Sequence, residues 1–508
     1  MTMEILATAD TAVCDRFALD SGIEVQSLVE AAGSAVADAI RTRWAPRLVW
    51  VLAGSGHNGA DGLVTARVLR EAGWPVRVIL LPSPDRLAAG AERALARWAG
   101  PVDPPDTALS DTPDGRPGLV VDALFGAGLS RPITGLAAGW IDWVRESEVP
   151  VVAVDIPSGL SGDARPVDGP HFAATLTVTF HRKKLVHLIE PYAQSCGEVV
   201  RREIGIPAGW SEHVAPVAHE VHTPLWHPDT RPDGRPFHKH ARGRVAVFSG
   251  GARSSGAARL AAAAALRAGA GVVTLCAPPS AVMVNASHLT AVMLTRWDGA
   301  ADVGDTLDGL RADAVVMGPS MGVGEPARDA VLAALETGIP VVLDADALTS
   351  FEHDPDALFS QLNGQCVLTP HAGEFLRVFG PAQAHWNKVE RVQAAADRCG
   401  STVLLKGPAT VIATPGMTPW INPHASRWLA TAGSGDVLAG IIASGLAAGM
   451  TAHDAAASAA WIHGDAGLKL GEGLVAEDLP ATLPAVLQGL AARRRQGAAL
   501  SHLLAHGS

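Results

Sequence analysis

The segment Leu48-Val49-Trp50-Val51-Leu52-Ala53-Gly54-Ser55-Gly56-His57-Asn58-Gly59-Ala60-Asp61-Gly62 decides the fold class of the first half of the chain. Its short apolar run, without polar alternation and closed by glycine, reads as a strand buried on both faces. The glycine-rich turn lets a backbone approach a ligand closely, and the helix expected after it offers amide donors to a phosphate. Such a turn alone is common in α/β proteins. The dinucleotide-binding fingerprint is not expected here, because Asp61 stands where small residues should pack.

Outward from that segment, helical periodicity runs from about Thr11 to Trp44, and buried-strand runs recur at 76–81, 119–123, 149–154 and 174–180. Strands alternating with helical stretches predict a Rossmann-like, doubly wound α/β sheet with right-handed crossovers. Between about Ser211 and Pro236 the pattern collapses, where Pro216, Pro224, Pro228, Pro232 and Pro236 punctuate a polar stretch. His213, His219, His222 and His227 in this stretch have no fixed ligand spacing and read as a solvated linker. The division is therefore 1–212, a linker at 213–236, and a second domain at 237–508. Arg244-Val245-Ala246-Val247-Phe248 reopens the strand pattern, and an alanine-rich helix over 257–267 follows. Further strands are expected at 272–275, 314–317, 341–343, 366–368, 403–405 and 410–413, making a second α/β unit larger than the first.

A length of 508 residues is too much for one ordinary core, and 48% hydrophobic content lets burial offset ordering entropy over most of it. The net charge of -11 argues against a nucleic-acid partner, and Arg493-Arg494-Arg495 reads as a solvated helix end. Cys14, Cys196, Cys276, Cys366 and Cys399 have no paired spacing, which suits a reducing cytoplasm. Residues Met1 to Glu4 carry no signal-peptide pattern. The longest apolar stretch, 437–450, is broken by Gly and Ser and reads as a buried helix, so no membrane association is expected.

Two more strand ends carry acids: Val120-Val121-Asp122-Ala123-Leu124-Phe125-Gly126-Ala127-Gly128 and Val152-Ala153-Val154-Asp155-Ile156-Pro157-Ser158-Gly159. The carboxyl ends of neighbouring parallel strands share one crevice, so Asn58, Asp122, Asp155 and Ser158 are expected to converge there. Amide, carboxylate and carbonyl oxygens are hard ligands suited to an alkali or alkaline-earth cation. Any one of these acids could simply cap a turn; three loops at one sheet edge point to a site.

In the second half the key segment is Ala430-Thr431-Ala432-Gly433-Ser434-Gly435-Asp436-Val437-Leu438. Backbone N–H groups at such a turn form an anion nest, and Asp436 would stand where a hydroxyl attacking phosphorus must lose its proton. Asp436 could equally cap the helix, but capping does not require the glycines before it.

In the first half Asn58-Gly59-x-Asp61-Gly62, Asp122-x-Leu-Phe-Gly-x-Gly-Leu-x-Arg-Pro132, Asp155-Ile-Pro-Ser-Gly and Thr177-Val-Thr-Phe180 with Lys184 resemble the NAD(P)H-hydrate epimerase family. The resemblance implies potassium held by Asn58, Asp122 and Ser158. It implies hydrated cofactor bound by His57, Asn58, Gly59, Ala60 and Asp61, by Gly126, Ala127, Gly128, Leu129, Ser130, Arg131 and Pro132, and by Asp155. Asp155 is the candidate acid/base at C6, with Lys184 second. Two departures stand out: His57 and Ala60 where the family usually has Asn-Asn-Gly-Gly-Asp, and Glu30-Ala31-Ala32-Gly33 where it has Glu-Asn-Ala-Gly.

The Gly-x-Gly-Asp turn resembles the ribokinase-like superfamily, which leaves the reaction open. Gly318-Pro319-Ser320-Met321-Gly322, Thr369-Pro370-His371-Ala372-Gly373-Glu374-Phe375 and Lys406-Gly407-Pro408-Ala409-Thr410 resemble its NAD(P)H-hydrate dehydratase branch, and Ser249-Gly250-Gly251 with Gly256-Ala257 agrees. This implies that Ala257, Gly322, His371 and Asp436 contact the hydrated nucleotide. Lys406, Gly407, Pro408, Ala409, Thr410 and Gly435 would bind ADP, with magnesium on its phosphates and Asp436 as base. Pro423-His424-Ala425-Ser426 departs from the family's Thr-Gly. The resemblances together imply an isomerase joined to a lyase for cofactor repair, working as a homo-oligomer. The rival expectations are a small-alcohol kinase in the second half and a non-catalytic nucleotide-binding or assembly module in the first.

Overall fold

The computed structural model describes residues 2–81, 86–105, 115–129, 131–222, 238–381 and 383–506, arranged as two compact units, Glu4–Ala218 and His219–Ser508 with Met1–Met3. The first unit holds a seven-stranded sheet whose spatial order is Val102–Asp103, Val76–Leu80, Val49–Ala53, Leu119–Ala123, Val151–Val154, Leu176–Phe180, Glu198–Arg202. Every neighbouring pair is parallel. The chain runs outward from Val49–Ala53 in one direction, then returns to add Leu119–Ala123 on its other side. That reversal opens a crevice at the strands' carboxyl ends, where Gly54 and Asp122 lie. Val51, Leu63 and Val121 pack in the core on one face of the sheet, and Trp50, Val120 and Trp140 on the other.

Two glycines explain how the turn after Val49–Ala53 closes. A Cβ on Gly54 would fall 1.9 Å from the Leu124 carbonyl oxygen, and one on Gly62 would fall 2.4 Å from the Ala123 Cβ. Neither position accepts a side chain. Contrary to expectation, Gly54, Gly56 and Gly59 do carry the spacing of the dinucleotide fingerprint, and Gly62 supplies its close helix–strand packing. Asp61 points to the cavity instead of blocking that contact.

The second unit's sheet runs in the order Ala218–Val221, Trp420–Asn422, Thr410–Ala413, Thr402–Leu405, Val367–Leu368, Val341–Leu343, Ala314–Met317, Arg244–Phe248, Val272–Ala277, Met293–Arg296. From Thr402–Leu405 to Met293–Arg296 all pairings are parallel, while Thr410–Ala413 pairs antiparallel on both sides. Order reverses between Arg244–Phe248 and Ala314–Met317, a second switch point. Helix Ser434–Ala447, the long apolar stretch of the sequence, is buried at all but its first turn and packs on helix Gly256–Ala268. A Cβ on Gly440 would stand 2.1 Å from the Ala261 carbonyl oxygen, so only glycine allows this approach. Among the described residues no helix is long and apolar enough to cross a membrane.

Two expectations need correction. The periodic stretch from Thr11 to Trp44 is two helices, Thr8–Asp20 and Val25–Arg41, because the chain turns at Gly22 with φ +90°. The stretch expected to be only linker contains the strand Ala218–Val221, paired in parallel with Trp420–Asn422. Its alternation is too short to register against the surrounding prolines. Residues 223–237, with His227, lie outside the described residues, as does Ser130.

Candidate active sites

In the first unit a cavity of about 750 Å³ opens at the switch point. His57, Asn58 and Asp61 face it from the start of helix His57–Glu71, and Gly126, Ala127, Gly128, Leu129 and Arg131 from the loop after Leu119–Ala123. Asp155 and Lys184 complete this group. Gly59 and Ala60 do not line it; a Cβ on Gly59 would strike the Gly54 carbonyl at 2.0 Å, so these residues form the packed back of the turn. Pro132 also falls outside the lining and is exposed.

Asp155 follows strand Val151–Val154 in a left-handed conformation, φ +67°, that a non-glycine residue adopts only when its surroundings impose it. Its surroundings do. Lys184 Nζ donates to Asp155 Oδ1 at 2.6 Å, the Thr179 hydroxyl donates to the same oxygen at 2.9 Å, and His187 Nε2 lies 2.9 Å from the Asp155 carbonyl. His187 Nδ1 accepts the Lys184 N–H, which leaves Nε2 as the donor to that carbonyl. Burial alone would push the Asp155 carboxyl up, but Lys184 and these hydrogen bonds together hold it below the usual carboxylate range.

Asp122 and Ser158 lie behind the cavity wall. The Ser158 hydroxyl donates to Asp122 Oδ1 at 2.6 Å and its backbone N–H to Oδ2 at 2.7 Å. Burial pushes the Asp122 carboxyl up to about 6 against those hydrogen bonds, and no cation contributes to its shift. Asn58, 8% exposed, has an amide Nδ2 with no hydrogen-bond partner.

Sequence reasoning missed two other groups. Asp15, on helix Thr8–Asp20, lines the cavity and is raised by burial and by the charge of Asp155, against Lys184. His181 lines it as well, 2% exposed, at φ +58°, with burial pulling its imidazole down to about 4. Asp61 is buried and raised well above the carboxylate range by burial, then by Asp155 and Asp15. The spacing of Asp15 in an ordinary helix carries no signal.

In the second unit the turn expected to form an anion nest opens helix Ser434–Ala447, and Asp436 is not its cap. Gly433 caps helix Ser434–Ala447 at φ +88°, and Asp436 is the third helical residue. The Ser434 hydroxyl is 3.0 Å from His463 Nε2, which braces the turn from below. Burial, then the charge of Asp344, pushes Asp436 up to about 7; Lys406 opposes, and Asp346 and Glu374 add to the rise.

His371 caps helix Ala372–Phe379: its Nδ1 accepts the Gly373 and Glu374 N–H groups at 2.9 and 3.4 Å, while Glu374 Oε2 accepts the His371 N–H at 2.8 Å. With Nδ1 occupied as acceptor, Nε2 is the ring's other functional end, 3.3 Å from Glu374 Oε1 and on an exposed side chain. Lys406 Nζ reaches Asp344 Oδ1 at 2.8 Å and Glu374 Oε2 at 3.8 Å. Lys406, Glu374, His371 and Asp436 thus belong to one constellation, with Gly435 in it too: a Cβ there would stand 3.2 Å from Lys406 Nζ. The Gly322 N–H donates to Asp346 Oδ2 at 2.8 Å. Gly407 and Pro408 are exposed in the turn after Lys406, and Ala409 and Thr410 are buried as the next strand begins. Ala257 lies in the first turn of helix Gly256–Ala268. Asp344 and Asp346 were missed, although Val341-Val-Leu-Asp344-Ala-Asp346 repeats the strand-end acid pattern of the first half. In the departing segment, His424 stacks on Trp461 at 4.5 Å and its Nε2 is 3.1 Å from Asp465 Oδ1.

A family profile described as NAD(P)H-hydrate dehydratase matches residues 245–488, and one described as YjeF-related protein N-terminus matches residues 25–186. A bifunctional NAD(P)H-hydrate repair enzyme from Mycobacterium tuberculosis is 37% identical over 411 residues, 81% of each chain. The protein of the same description from Moorella thermoacetica is 34% identical and spans 96% of this chain and 97% of its own. A solved structure from Bacillus subtilis, described as an ADP/ATP-dependent NAD(P)H-hydrate dehydratase co-crystallized with ATP and Mg2+, is 26% identical. It covers 53% of this chain and 99% of its own, with a TM-score of 0.43.

Proposed function

The chain belongs to the bifunctional NAD(P)H-hydrate repair enzymes, and from that premise we propose how its residues divide the work. The Glu4–Ala218 unit interconverts the R and S hydrates; the His219–Ser508 unit dehydrates the S form as ADP is consumed to AMP and phosphate. The observation that carries this reading is that each unit gathers a reactive acid and a lysine: Asp155 with Lys184 in the first, and Asp436, with Lys406 held by Asp344, in the second.

In the first unit Asp155 and Lys184 are the acid/base pair at C6 of the hydrated ring. Asp155, ionised beside its lysine, is suited to take the C6 hydroxyl proton as the bond from C6 to the ring nitrogen opens, giving an aldehyde and a nitrogen that Lys184 protonates. Closure on the other face of the aldehyde reverses both proton transfers and inverts C6. His57, Asn58 and Asp61 face the hydrate with the loop of Gly126, Ala127, Gly128, Leu129 and Arg131. Asn58, Asp122 and Ser158 would hold a potassium ion: the buried Asp122 carboxylate has no counter-cation among the causes of its shift, and the buried Asn58 amide has an end, placed as Nδ2, without a hydrogen-bond partner. The amide's two ends exchange by a flip, so Asn58 could offer its oxygen. Bound there, potassium would supply a fixed positive charge at the crevice.

In the second unit Asp436 takes the proton of the C6 hydroxyl. The hydroxyl oxygen then bonds to the terminal phosphorus of ADP, and the bond from that phosphorus to AMP breaks. The new phosphoester leaves as phosphate while the ring nitrogen's lone pair moves in, and loss of a proton from C5 to solvent then forms the C5–C6 double bond of the reduced ring. The N–H groups of the Gly433–Asp436 turn and Lys406 receive the phosphates, with Lys406–Thr410 and Gly435 along the nucleotide; His371, Gly322 and Ala257 face the hydrate. Magnesium would neutralise those phosphates and take ligands from them: among the described residues no group of three or more His, Cys, Asp or Glu could hold an ion. The five free, buried cysteines accord with the reducing cytoplasm and disfavour any thiolate chemistry.

The test is pure R hydrate of NADH with the full chain, first without and then with ADP and magnesium. R converts to S in the first step, and the reduced-nicotinamide absorbance returns in the second. R that stays R would make the first unit a non-catalytic module, and a stable phosphorylated product would make the second a kinase.

A further inference from the structure

The second unit places one ammonium among four carboxylates, and its closest partner is not the acid expected to react. Lys406 Nζ lies 2.8 Å from Asp344 Oδ1 and 3.8 Å from Glu374 Oε2. Asp344 is 2% exposed and fixed from two sides: its Oδ1 also accepts the Thr369 hydroxyl at 2.9 Å, and the backbone leaves it through Ala345 at φ +48°. A carboxylate so held cannot follow a wandering lysine; the lysine comes to it. Above the pair lies the reactive turn. A Cβ on Gly435 would stand 3.2 Å from Lys406 Nζ and 3.6 Å from Asp344 Oδ2, so glycine at this position leaves room for the ion pair directly beneath the anion nest.

We propose that Asp344 is a positioning residue for the dehydration: it fixes Lys406 Nζ under the Gly433–Asp436 turn, where the ammonium faces the phosphoryl group in transfer, without itself touching nucleotide or hydrate. This deepens the dehydratase reading and rests on it. Electrostatics gives the same residue a second effect. Asp436 is faced by Asp344 and Asp346 from the segment after Val341–Leu343, by Glu374 from helix Ala372–Phe379 and by Lys406 after Thr402–Leu405, and Asp344 raises it most of these. The residue that pins the cation therefore also keeps the base near neutrality, while Lys406, despite its own burial, is held above its ordinary range by Asp344 and Glu374.

The experiment is a double-mutant cycle on the full chain, with NADH hydrate, ADP and magnesium, using Asp344→Asn, Lys406→Met and both together. Misplacing a group by about 1 Å can cost on the order of 100-fold, and each single variant is expected to lose about that much in kcat. The double variant should be no worse than Lys406→Met, because the acid works through the lysine. The acid limb of the Asp344→Asn pH profile should move to lower pH, since the charge that most raises Asp436 is gone. Losses that multiply in the double variant, or an acid limb that stays in place, overturn the proposal. Should Asp344→Asn lack a cooperative thermal transition, Thr369→Val, which removes only the hydroxyl holding Asp344, replaces it in the same cycle and is judged by the first outcome alone, because it keeps the Asp344 charge. Epimerisation by the same chain reports that the first unit is intact. A wild-type chain that never dehydrates the hydrate would sink the dehydratase reading itself before any variant is made.

Discussion

Two aspartates at the ends of parallel strands or the start of a turn, each with a lysine nearby, end up on opposite sides of neutrality. Asp155 binds Lys184 Nζ at 2.6 Å and is held below the usual carboxylate range despite burial. Asp436 shares its surroundings with Asp344, Asp346 and Glu374, the lysine is bound to Asp344, and burial with that excess charge lifts it to about 7. The difference is one of bonding: Lys184 hydrogen-bonds Asp155 directly, although Asp15 and Asp61 share that cavity, whereas Lys406 is bound to Asp344 and leaves Asp436 to burial and like charge. A carboxylate that is ionised at any physiological pH suits reversible transfer of the C6 hydroxyl proton. A carboxylate poised near 7 suits removal of a hydroxyl proton during a single phosphoryl transfer, because both its forms are accessible at working pH.

The largest expected effect separates the two clefts outright. Asp436→Ala removes the base and should lower dehydration on the order of 10³-fold, within the usual span for a general base, while R-to-S conversion by the same chain is unchanged. Both reactions are read from one preparation. Parallel loss of both would mean that the chemistry is not divided between the units as drawn.

Lys184→Met tests the paired cleft from the other side. The lysine side chain is 1% exposed and Asp155 16%, so removing one partner leaves a buried carboxylate alone. Breaking a buried pair in this way costs about 3–5 kcal/mol, and the first unit's thermal transition should fall accordingly. Epimerisation should drop on the order of 100-fold. An unchanged melting temperature would show that the pair contributes little to holding Asp155 at its strained φ.

The contrast also predicts two pH profiles from one protein. Dehydration should rise as pH passes through about 7, the value to which Asp436 is pushed. Epimerisation should show no such rise, because Asp155 is already ionised below the ordinary carboxylate range. Coincident acid limbs in the two reactions would erase the distinction on which the comparison stands.

Much of this was legible in the sequence, and the parts that were not have physical reasons. The apolar runs at 119–121, 245–248 and 314–317 marked strands because parallel strands are buried on both faces. Asn58, Asp155 and Asp436 announced themselves through the glycines around them, since close backbone approach leaves a compositional trace. Asp15 and His181 left none: one sits in an unremarkable helix and the other one residue past a strand, and only the tertiary fold turns them to the cavity. The strand Ala218–Val221 was hidden because four residues among prolines cannot show a period. Asp344 was visible as a strand-end acid, but its bond to Lys406 spans 62 residues of sequence and belongs to the sheet's order, not to any local pattern.

The smallest effect concerns stability and carries its own sign. Asp436 is raised in the folded chain, so folding favours its protonated form; that contribution is full below the ordinary carboxylate range and is lost as pH climbs through about 7. Asp436→Asn cannot ionise and should escape the loss. Its advantage over the wild type should grow from about pH 4 to about pH 7 and level off above, reaching about 1–2 kcal/mol once solvent screening at a partly exposed group is allowed for. The reading is a pair of denaturant titrations at each pH. A stabilisation that is the same at every pH would assign the gain to packing, and the acid would then be poised by something other than its crowded neighbours. A stabilisation that follows the predicted curve would show that the second unit tolerates a destabilised acid for the sake of its chemistry, the arrangement expected where function sits on strain.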